Sequence, residues 1–408
     1  MEFRIANAND TKAVENLWAY CFETKEDPFF QYYFSKAYEP EHTMVGYDGN
    51  LLTSMVHLRQ YTLNVRGALV PVSYMVGVAT DPVARRGGIG GQLLTASLEE
   101  LKKRGQGITI LMPSKAAFYQ QYGWELYAHQ WVQTLSLEEL RPLTDKTLHF
   151  GLLQSEDEWT KLAPIYEAYT EGLSGYAVRG EKEWRRLLGS FFAEGVRVAY
   201  VQTEDGQIEG YAVYRLGAEE IPVTEFVYTS RRGQKGLLNY LYNHRSQGSS
   251  IRWNEGMQDE SYIFHPNGKT GHTTMPYMMS RIVDVTTAMA TVPAHIDAHW
   301  ANQAGVVDGK TYTFTLGVKD SMATWNEGTY EVTIHSDGHV EAVKTADEVK
   351  ADVQVVSEVG ALSLILMGRM TASELLFEGK VCGEKAVIAM LIRVYPKQKH
   401  TLMNGGKN

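Results

Sequence analysis

A glycine-rich turn flanked by arginines is the stretch of this sequence whose residues could do chemistry. Arg85, Gly88 and Gly90 follow an apolar, β-branched run that ends near Ala79, and apolar residues recur at helical spacing from Ile89 onward. This pattern predicts a strand, a turn and a helix. Glycines let the backbone approach a ligand closely, and a helix start adds unpaired N–H groups and a positive dipole end. The turn is therefore predicted to cradle a pyrophosphate.

The spacing of the glycines separates the known phosphate-binding motifs. A dinucleotide fingerprint needs a third glycine where Leu93 stands, and a P-loop needs a Lys-Ser or Lys-Thr pair that does not follow the turn. The remaining pattern, Arg85-x-x-Gly88-x-Gly90, resembles the coenzyme A loop of the GCN5-related N-acetyltransferase superfamily. The alternative is a glycine-rich turn that holds no ligand.

A second segment carries the same resemblance. The sequence predicts a strand over residues 107–112, then a short helix with Pro113 at its first position and a glycine after its end. The superfamily pattern is matched there by Ala116, Phe118, Tyr119, Gly123 and Trp124. Spacing alone leaves Tyr119 as a packed core tyrosine or as a general acid. The resemblance implies the acid, whose phenol would protonate the leaving CoA thiolate, because both groups have high pKa values in water.

The composition limits the class of protein. A chain of 408 residues with 44% hydrophobic residues can bury several sizeable cores. With 39 Lys and Arg against 48 Asp and Glu, its net charge of −9 argues against nucleic acid as a partner and suits a cationic substrate. Its two cysteines, Cys21 and Cys382, have no metal-ligand spacing, which predicts a reducing, cytoplasmic location. The sequence contains neither a signal peptide nor an apolar run long enough to cross a bilayer, so we expect no membrane partner.

Apolar periodicity predicts the elements that position these motifs. A first strand covers residues 2–5, a helix carries Val14, Leu17 and Trp18, and strands over residues 43–47, 51–63 and 69–79 lead into the glycine turn. The aromatic segment 27–34 is either a second core helix, or its lid, or an acid-flanked wall of a substrate pocket. His295 and His299 are spaced i, i+4, but no third ligand accompanies them, so no metal site is predicted.

A weaker repeat of the glycine-turn sequence occurs later in the chain. Arg231, Arg232 and Gly233 repeat residues 85–87, and Leu237-Leu238 repeats Leu93-Leu94. The self-similarity predicts a second fold of the same type. Gln234 and Lys235 stand where Gly88 and Ile89 stand in the first repeat, whereas Gly236 matches Gly90, so two positions of the turn are altered and one of them is a close-approach glycine. The second repeat is therefore interpreted as structural, without CoA.

The last part of the chain extends the resemblance to one family. Strands and apolar helices alternate there, and the pattern Trp-Asn-x-Gly-x-Tyr at residues 325–330 resembles the third domain of the Eis-type (enhanced intracellular survival) acetyltransferases. The resemblance implies an α/β and α+β chain, with tandem GCN5-related acetyltransferase folds followed by a sterol-carrier-protein-like α+β domain. Its domains would be a catalytic acetyltransferase domain (1–148), a degenerate acetyltransferase-like domain (149–284) and a sterol-carrier-like domain (285–408).

The resemblance also implies the reaction and its residues. Acetyl-CoA would be the co-substrate, and the acceptor would be an amine of a small cationic molecule, such as an aminoglycoside. The neutral amine would attack the thioester directly. Tyr119 would be the acid, and the terminal carboxylate of Asn408 the base, although the polar, glycine-rich tail departs from the family pattern. The residues that would hold the cofactor are Val78, Ala79, Thr80, Arg85, Arg86, Gly87, Gly88, Ile89, Gly90, Gly91, Ser114 and Lys115.

Two other functions fit the same motifs. One is acetylation of a lysine or the N-terminus of a protein or peptide, and the other is non-catalytic binding of acetyl-CoA and lipid. The resemblance further implies a homo-oligomer, a hexamer in the family.

Overall fold

The computed structural model describes residues 1–85, 87–217, 219–264, 272–296 and 311–400. Two compact units are interleaved along this chain. The first contains residues 1–22, 39–128 and 277–399, and the second contains residues 23–38 and 129–276 together with His400. The domain boundaries predicted after residues 148 and 284 remain predictions.

The strands predicted in the N-terminal third form, with ends shifted by at most two residues, and further elements that were not predicted join them. The strands are β1 (Glu2–Ile5), β2 (Thr43–Asp48), β3 (Leu51–Val65), β4 (Ala68–Thr80), β5 (Ile108–Leu111) and β6 (Glu125–Ser136). The helices are α1 (Thr11–Cys21), α2 (Pro28–Tyr32), α3 (Ile89–Lys103), α4 (Ala116–Gln120) and α5 (Leu137–Leu140). Placing Pro113 at the first position of α4 was wrong, because the helix begins at Ala116 with Lys115 as its N-cap.

The middle of the chain repeats this alternation. Its strands are β7 (His149–Leu152), β8 (Tyr176–Ala177), β9 (Arg197–Gln202), β10 (Ile208–Tyr214), β11 (Glu220–Tyr228) and β12 (Ser250–Gly256). Its helices are α6 (Ala163–Thr170), α7 (Glu181–Ala193) and α8 (Arg231–Tyr242).

The last part of the chain supplies a further strand and a small α+β domain. The strands are β13 (His272–Ile282), β14 (Tyr312–Lys319), β15 (Gly328–Ile334), β16 (Val340–Ala346), β17 (Val355–Glu358) and β18 (Val381–Gly383). The helices are α9 (Val285–Thr291), α10 (Val359–Met367), α11 (Ala372–Phe377) and α12 (Lys385–Val394).

In the first unit, the strands of the N-terminal region lie in the order β1-β2-β3-β4-β5, with β13 added beside β5. The parallel pairing of β4 with β5 runs only from Val72, opposite Ile108, to Met75, opposite Leu111. Because β4 continues to Thr80, its last residues extend past their partner strand and leave a notch there. Buried leucines of α3, among them Leu93, Leu94, Leu98 and Leu101, pack in the core beneath this sheet.

The remaining part of the first unit is a five-stranded sheet in the order β16-β15-β14-β17-β18. Every residue of α10 is buried, which explains why its sequence is apolar all round and not amphipathic. Among the described residues, no helix is long and apolar enough to cross a membrane.

The strands of the second unit lie in the order β6-β12-β11-β10-β9-β7. Its β11 and β12 are parallel, as β4 and β5 are, so the strand arrangement of the first repeat recurs. The aromatic segment belongs to this unit as a core helix. Phe29 and Phe30 of α2 are buried, and the Tyr32 hydroxyl donates a hydrogen bond to the Arg186 carbonyl of α7 at 3.0 Å.

The connection from strand to helix differs between the two repeats. Residues 81–88 separate β4 from α3, whereas only Thr229 and Ser230 separate β11 from α8. The residues that echo the glycine turn are therefore already helical. A Cβ on Gly233 would lie 2.5 Å from the Glu209 carbonyl oxygen, and Arg232 is paired with the Glu209 carboxylate. Glycine and arginine thus have packing roles in the second repeat.

Candidate functional site

The glycine turn of the first repeat leads directly into the bare N-terminus of a long helix. Asp81 closes the end of β4 by accepting a hydrogen bond from the Val83 amide at 3.0 Å, and Arg85 donates to the Thr80 carbonyl at 3.0 Å. Gly88 is the N-cap of α3 with φ of 73°, a left-handed conformation that favours glycine. Gly88 has no side chain that could cap the first turn of α3. The backbone N–H groups of that turn therefore remain available to an anion.

This turn forms one wall of a pocket of about 470 Å³. The pocket is lined by residues from the end of α1, the end of β4, the turn and α4: Cys21, Phe22, Val78, Ala79, Thr80, Ala84, Arg85, Gly88, Ile89, Gly90, Gly91, Phe118 and Tyr122. Eight of the predicted cofactor residues are therefore brought together. Gly87, Ser114 and Lys115 are not among the lining residues, and Arg86 lies outside the described residues.

Two aromatic walls of the pocket were not predicted to line it. Phe118 and Tyr122 lie i, i+4 along α4 and the turn that follows, so they share a face, which is the signal that spacing could have given. They pack against the first turn of α3. A Cβ on Gly90 would lie 3.5 Å from Phe118 Cζ, and one on Gly91 would lie 3.2 Å from the Tyr122 hydroxyl. The glycines thus serve aromatic packing as well as the approach of a ligand.

A bulge in β4 lies next to the predicted backbone contacts at residues 78–80. Met55 of β3 pairs with Ala79 and His57 pairs with Val76, so β4 has one residue more than β3 across this interval. Gly77 has φ of 64°, and a Cβ there would lie 2.4 Å from Trp18 Cζ3. A glycine inside an apolar strand is the sequence signal for such a bulge. Backbone amides at a bulge are released from the ladder, so they can bind a ligand.

Replacing Gly77 by alanine is expected to disrupt the pocket. The change imposes a left-handed conformation on a residue with a Cβ and drives that Cβ into the Trp18 ring, which together should cost roughly 2–5 kcal/mol. The matched control is Gly49→Ala, since Gly49 has φ of 58° and nothing within 4 Å of the added Cβ. Thermal unfolding should show a clearly larger loss for Gly77→Ala. Equal losses of stability in the two variants would mean that the Trp18 ring moves to accommodate the added Cβ.

Tyr119 lies on α4 beside the aromatic walls and is largely buried, at 7% exposure. Its ring makes an edge contact with Phe118 at 5.0 Å and with Trp124 at 6.3 Å between centroids. Burial raises the pKa of its phenol. The phenol, protonated at neutral pH as an ordinary tyrosine is, therefore keeps its proton to a higher pH. Its contacts are those of a core tyrosine, and its protonation state is that of a general acid, so both interpretations of Tyr119 remain compatible with its surroundings.

Two other titratable groups lie in this region. His57 is fully buried against the Trp18 ring, with ring centroids 4.9 Å apart, and burial followed by the nearby Arg59 charge lowers its pKa to about 3. It is neutral at physiological pH. Burial also raises the pKa of the Cys21 thiol, an effect that the neighbouring Arg85 partly offsets.

The remaining site predictions fall outside the described residues. These are Asn408, the predicted base, and His299, the second histidine of the spacing considered for a metal. Within the described ranges, no group of three or more His, Cys, Asp or Glu side chains could hold a metal ion.

Three family models match successive parts of the chain. Two are described as acetyltransferase (GNAT) domains and match residues 2–127 and 175–282. The third is a sterol carrier protein domain that matches residues 300–403. The chain is also 23% identical over 370 residues to a Streptomyces avermitilis protein named as an uncharacterized N-acetyltransferase, covering 84% of this chain and 82% of that protein.

Solved structures share this fold along their whole length. A probable N-acyltransferase from Enterococcus faecalis superposes with a TM-score of 0.84 at 22% identity, covering 99% of this chain and 98% of the other. A GCN5-related N-acetyltransferase from Anabaena variabilis gives 0.79 at 16% identity, with 98% of both chains covered. Eis1 from Mycobacterium abscessus gives 0.72 at 18% identity and covers both chains completely.

The fold and the matches define an N-acetyltransferase built from two acetyltransferase domains and a sterol carrier domain. The chain belongs to the GNAT acetyltransferase family, with the Eis-like order of domains. The predicted fold class is confirmed, and so is the prediction that the protein is an enzyme.

Proposed function

We propose that this enzyme transfers the acetyl group of acetyl-CoA to an amine of a small cationic molecule, with aminoglycosides among the candidates. The observation that carries the proposal is the glycine turn. It places an uncapped helix N-terminus and Arg85 on the wall of a pocket of about 470 Å³, next to the bulged end of β4. Such a wall suits a pyrophosphate, and the adjacent strand end suits the amide groups of a pantetheine arm.

The reaction needs one bond to form and one to break. The lone pair of a neutral amine attacks the thioester carbonyl, the C–S bond then breaks, and the thiolate takes the Tyr119 proton. Because burial keeps the phenol protonated, Tyr119 can act as this donor throughout the neutral range. The attacking nitrogen loses its extra proton to a base, for which we propose the terminal carboxylate of Asn408.

The charge of the chain supports a cationic acceptor, since its net charge is −9. Acetylation of a lysine side chain or the N-terminus of a peptide is the alternative that uses the same donor site. Both acceptors present an amine, so the glycine turn and Tyr119 do not discriminate between them.

The test is one thiol-release assay with acetyl-CoA and a panel of acceptors. The panel contains aminoglycosides, simple polyamines, lysine-containing peptides and peptides with a free N-terminus. Thiol release with small polycationic amines, and none with peptides, is the expected result. Release with peptides alone would replace the small-molecule proposal, and no release with any amine would contradict acetyl transfer to amines.

The tail gives a separate prediction. If the terminal carboxylate is the base, Asn408→Ala retains it and should leave activity nearly unchanged. A C-terminal extension moves the charge away from the amine and should lower kcat about 100-fold, because small misplacements are costly in a reaction based on proximity. Thermal unfolding of the two forms should be alike. Full activity of the extended form would exclude this base.

Hexamer formation and a cytoplasmic location complete the proposal. The hexamer rests on the family resemblance, and the location rests on cysteine usage. Light scattering of the purified chain measures the first.

A further inference from the structure

A fully buried arginine joins the end of α4 to the sterol carrier region. Arg281, in β13, is 0% exposed. Its Nε donates to the Tyr122 carbonyl at 2.7 Å, its Nη1 to the Ile282 carbonyl at 2.5 Å and its Nη2 to Asp320 Oδ1 at 2.7 Å. The guanidinium carbon lies 5.2 Å from the centroid of the Trp124 ring. An arginine held away from water needs such a complete set of partners, so its position is tightly defined.

The Trp-Asn motif of the third domain holds the other side of this ion pair. Asp320 Oδ2 accepts from Asn326 Nδ2 at 3.0 Å. Asn326 also donates to the Val283 carbonyl at 3.1 Å, and Trp325 Nε1 donates to the same carbonyl at 2.9 Å. The motif therefore binds the backbone that directly follows β13. We call Arg281, Asp320, Trp325 and Asn326 the clamp.

Helix α4, the element that the clamp contacts, is too short to be stable without tertiary contacts. Helix α4 has five residues, which is less than an isolated helix needs to be stable. Its end is closed by turns in which the amides of Tyr122 and Trp124 donate to the Tyr119 carbonyl at 3.0 and 3.3 Å. The Tyr122 carbonyl is the group that Arg281 fixes. Two aromatic walls of the glycine-turn pocket, Phe118 and Tyr122, lie on this same segment.

We propose that the sterol carrier domain positions the acetyl-CoA site through the clamp, with Arg281 as the positioning residue. The inference rests on the proposed function for the identity of the ligand. Loss of the Arg281–Tyr122 bond releases the end of α4, and the aromatic walls and Tyr119 move with it. The third domain is thus part of the machinery for acetyl transfer, in addition to anything that it carries.

The sharpest variant is Arg281→Lys. Lysine keeps a cation for Asp320, but it loses the planar fork that also reaches the Tyr122 carbonyl. The matched control is Arg179→Lys. Arg179 belongs to an equally buried pair with Glu225, with side-chain exposures of 3% and 5%, and it lies over the Trp184 ring at 4.8 Å. Both variants should lose comparable thermal stability.

The readouts are acetyl-CoA affinity by calorimetry, kcat, and hydrogen exchange of the peptide that contains α4. Arg281→Lys should weaken acetyl-CoA binding and lower kcat, each roughly tenfold, and should speed exchange in α4. Arg179→Lys should change none of these. The exchange measurement needs no ligand, so it tests the clamp even if wild-type protein fails to bind acetyl-CoA, an outcome that would contradict the proposed function alone.

Unchanged α4 exchange and unchanged affinity in Arg281→Lys would overturn the proposal, as would equal effects in the two arginine variants. If Arg281→Lys does not fold, Trp325→Phe is the substitute, because it keeps an aromatic side chain and loses the Nε1 bond to the Val283 carbonyl together with part of the indole packing. It should shift affinity and α4 exchange in the same direction by a few-fold, and no shift in this folded variant would equally contradict the clamp.

Discussion

Gly88→Asp is expected to abolish acetyl-CoA binding in a protein that still folds. Nothing lies within 4 Å of a Cβ built on Gly88, so the side chain enters open space at the start of α3. There its carboxylate takes the place of the anion and repels the pyrophosphate. One such repulsion at about 4 Å, in the partly shielded surroundings of a protein surface, is worth about 4 kcal/mol, or roughly a thousandfold in Kd. Calorimetric titration with acetyl-CoA measures it.

The control for this prediction is Gly105→Asp. Gly105 follows the other end of α3, has φ of 70° against 73° for Gly88, and likewise has nothing within 4 Å of an added Cβ. It therefore matches the backbone strain and the added charge, and acetyl-CoA affinity should be unchanged. Gly233 of the second repeat is unsuitable, because a Cβ there meets the Glu209 carbonyl. Tight binding by a folded Gly88→Asp variant would exclude this turn as the pyrophosphate site.

Tyr119→Phe is expected to lower kcat about 100-fold, the usual effect of losing a positioned general acid. The change removes one hydroxyl from a ring that remains packed against Phe118 and Trp124, so acetyl-CoA affinity should hold. Because burial raises the phenol pKa, the wild-type kcat should also show no loss of the acid until the pH rises beyond the ordinary range of tyrosine. Steady-state rates across pH measure both effects.

A control variant at another buried tyrosine distinguishes an effect on catalysis from an effect on stability. The Tyr166 hydroxyl donates to the Ala177 carbonyl at 2.8 Å in the core of the second unit. Tyr166→Phe should cost about 1 kcal/mol of unfolding free energy and leave kcat unchanged. If Tyr119→Phe turns over at the wild-type rate, Tyr119 is a core residue, and the thiolate takes its proton from water or another group.

Local signals were sufficient to predict the loop and its flanking elements from sequence. The switch from β-branched residues to helical spacing at Ile89 placed the start of α3, and Gly88 is indeed its left-handed N-cap. The end of β4 and the predicted residues around it meet in one pocket because they are close together in the chain. Such contacts need no knowledge of the tertiary structure.

The sequence did not predict features that depend on contacts between segments far apart in the chain. The strands β6 and β12 pair from Ser136, opposite Ser250, to Gln130, opposite Gly256, so each is stabilised by a partner far along the chain. The clamp similarly joins residues 281 and 320–326, and spacing gave no indication that the Trp-Asn motif would contact Val283. Helix α4 begins at Ala116, later than Pro113 suggests.

The short connection between β11 and α8 limits how the second domain could be changed. Thr229 and Ser230 leave no chain length with which to surround a diphosphate, and Ser230 already uses its hydroxyl to cap α8. Exchanging residues there for glycines would therefore not restore a cofactor site; an insertion of several residues would be required. If acetyl-CoA binds at the glycine turn, as proposed, we therefore expect one acetyl donor for every two acetyltransferase folds.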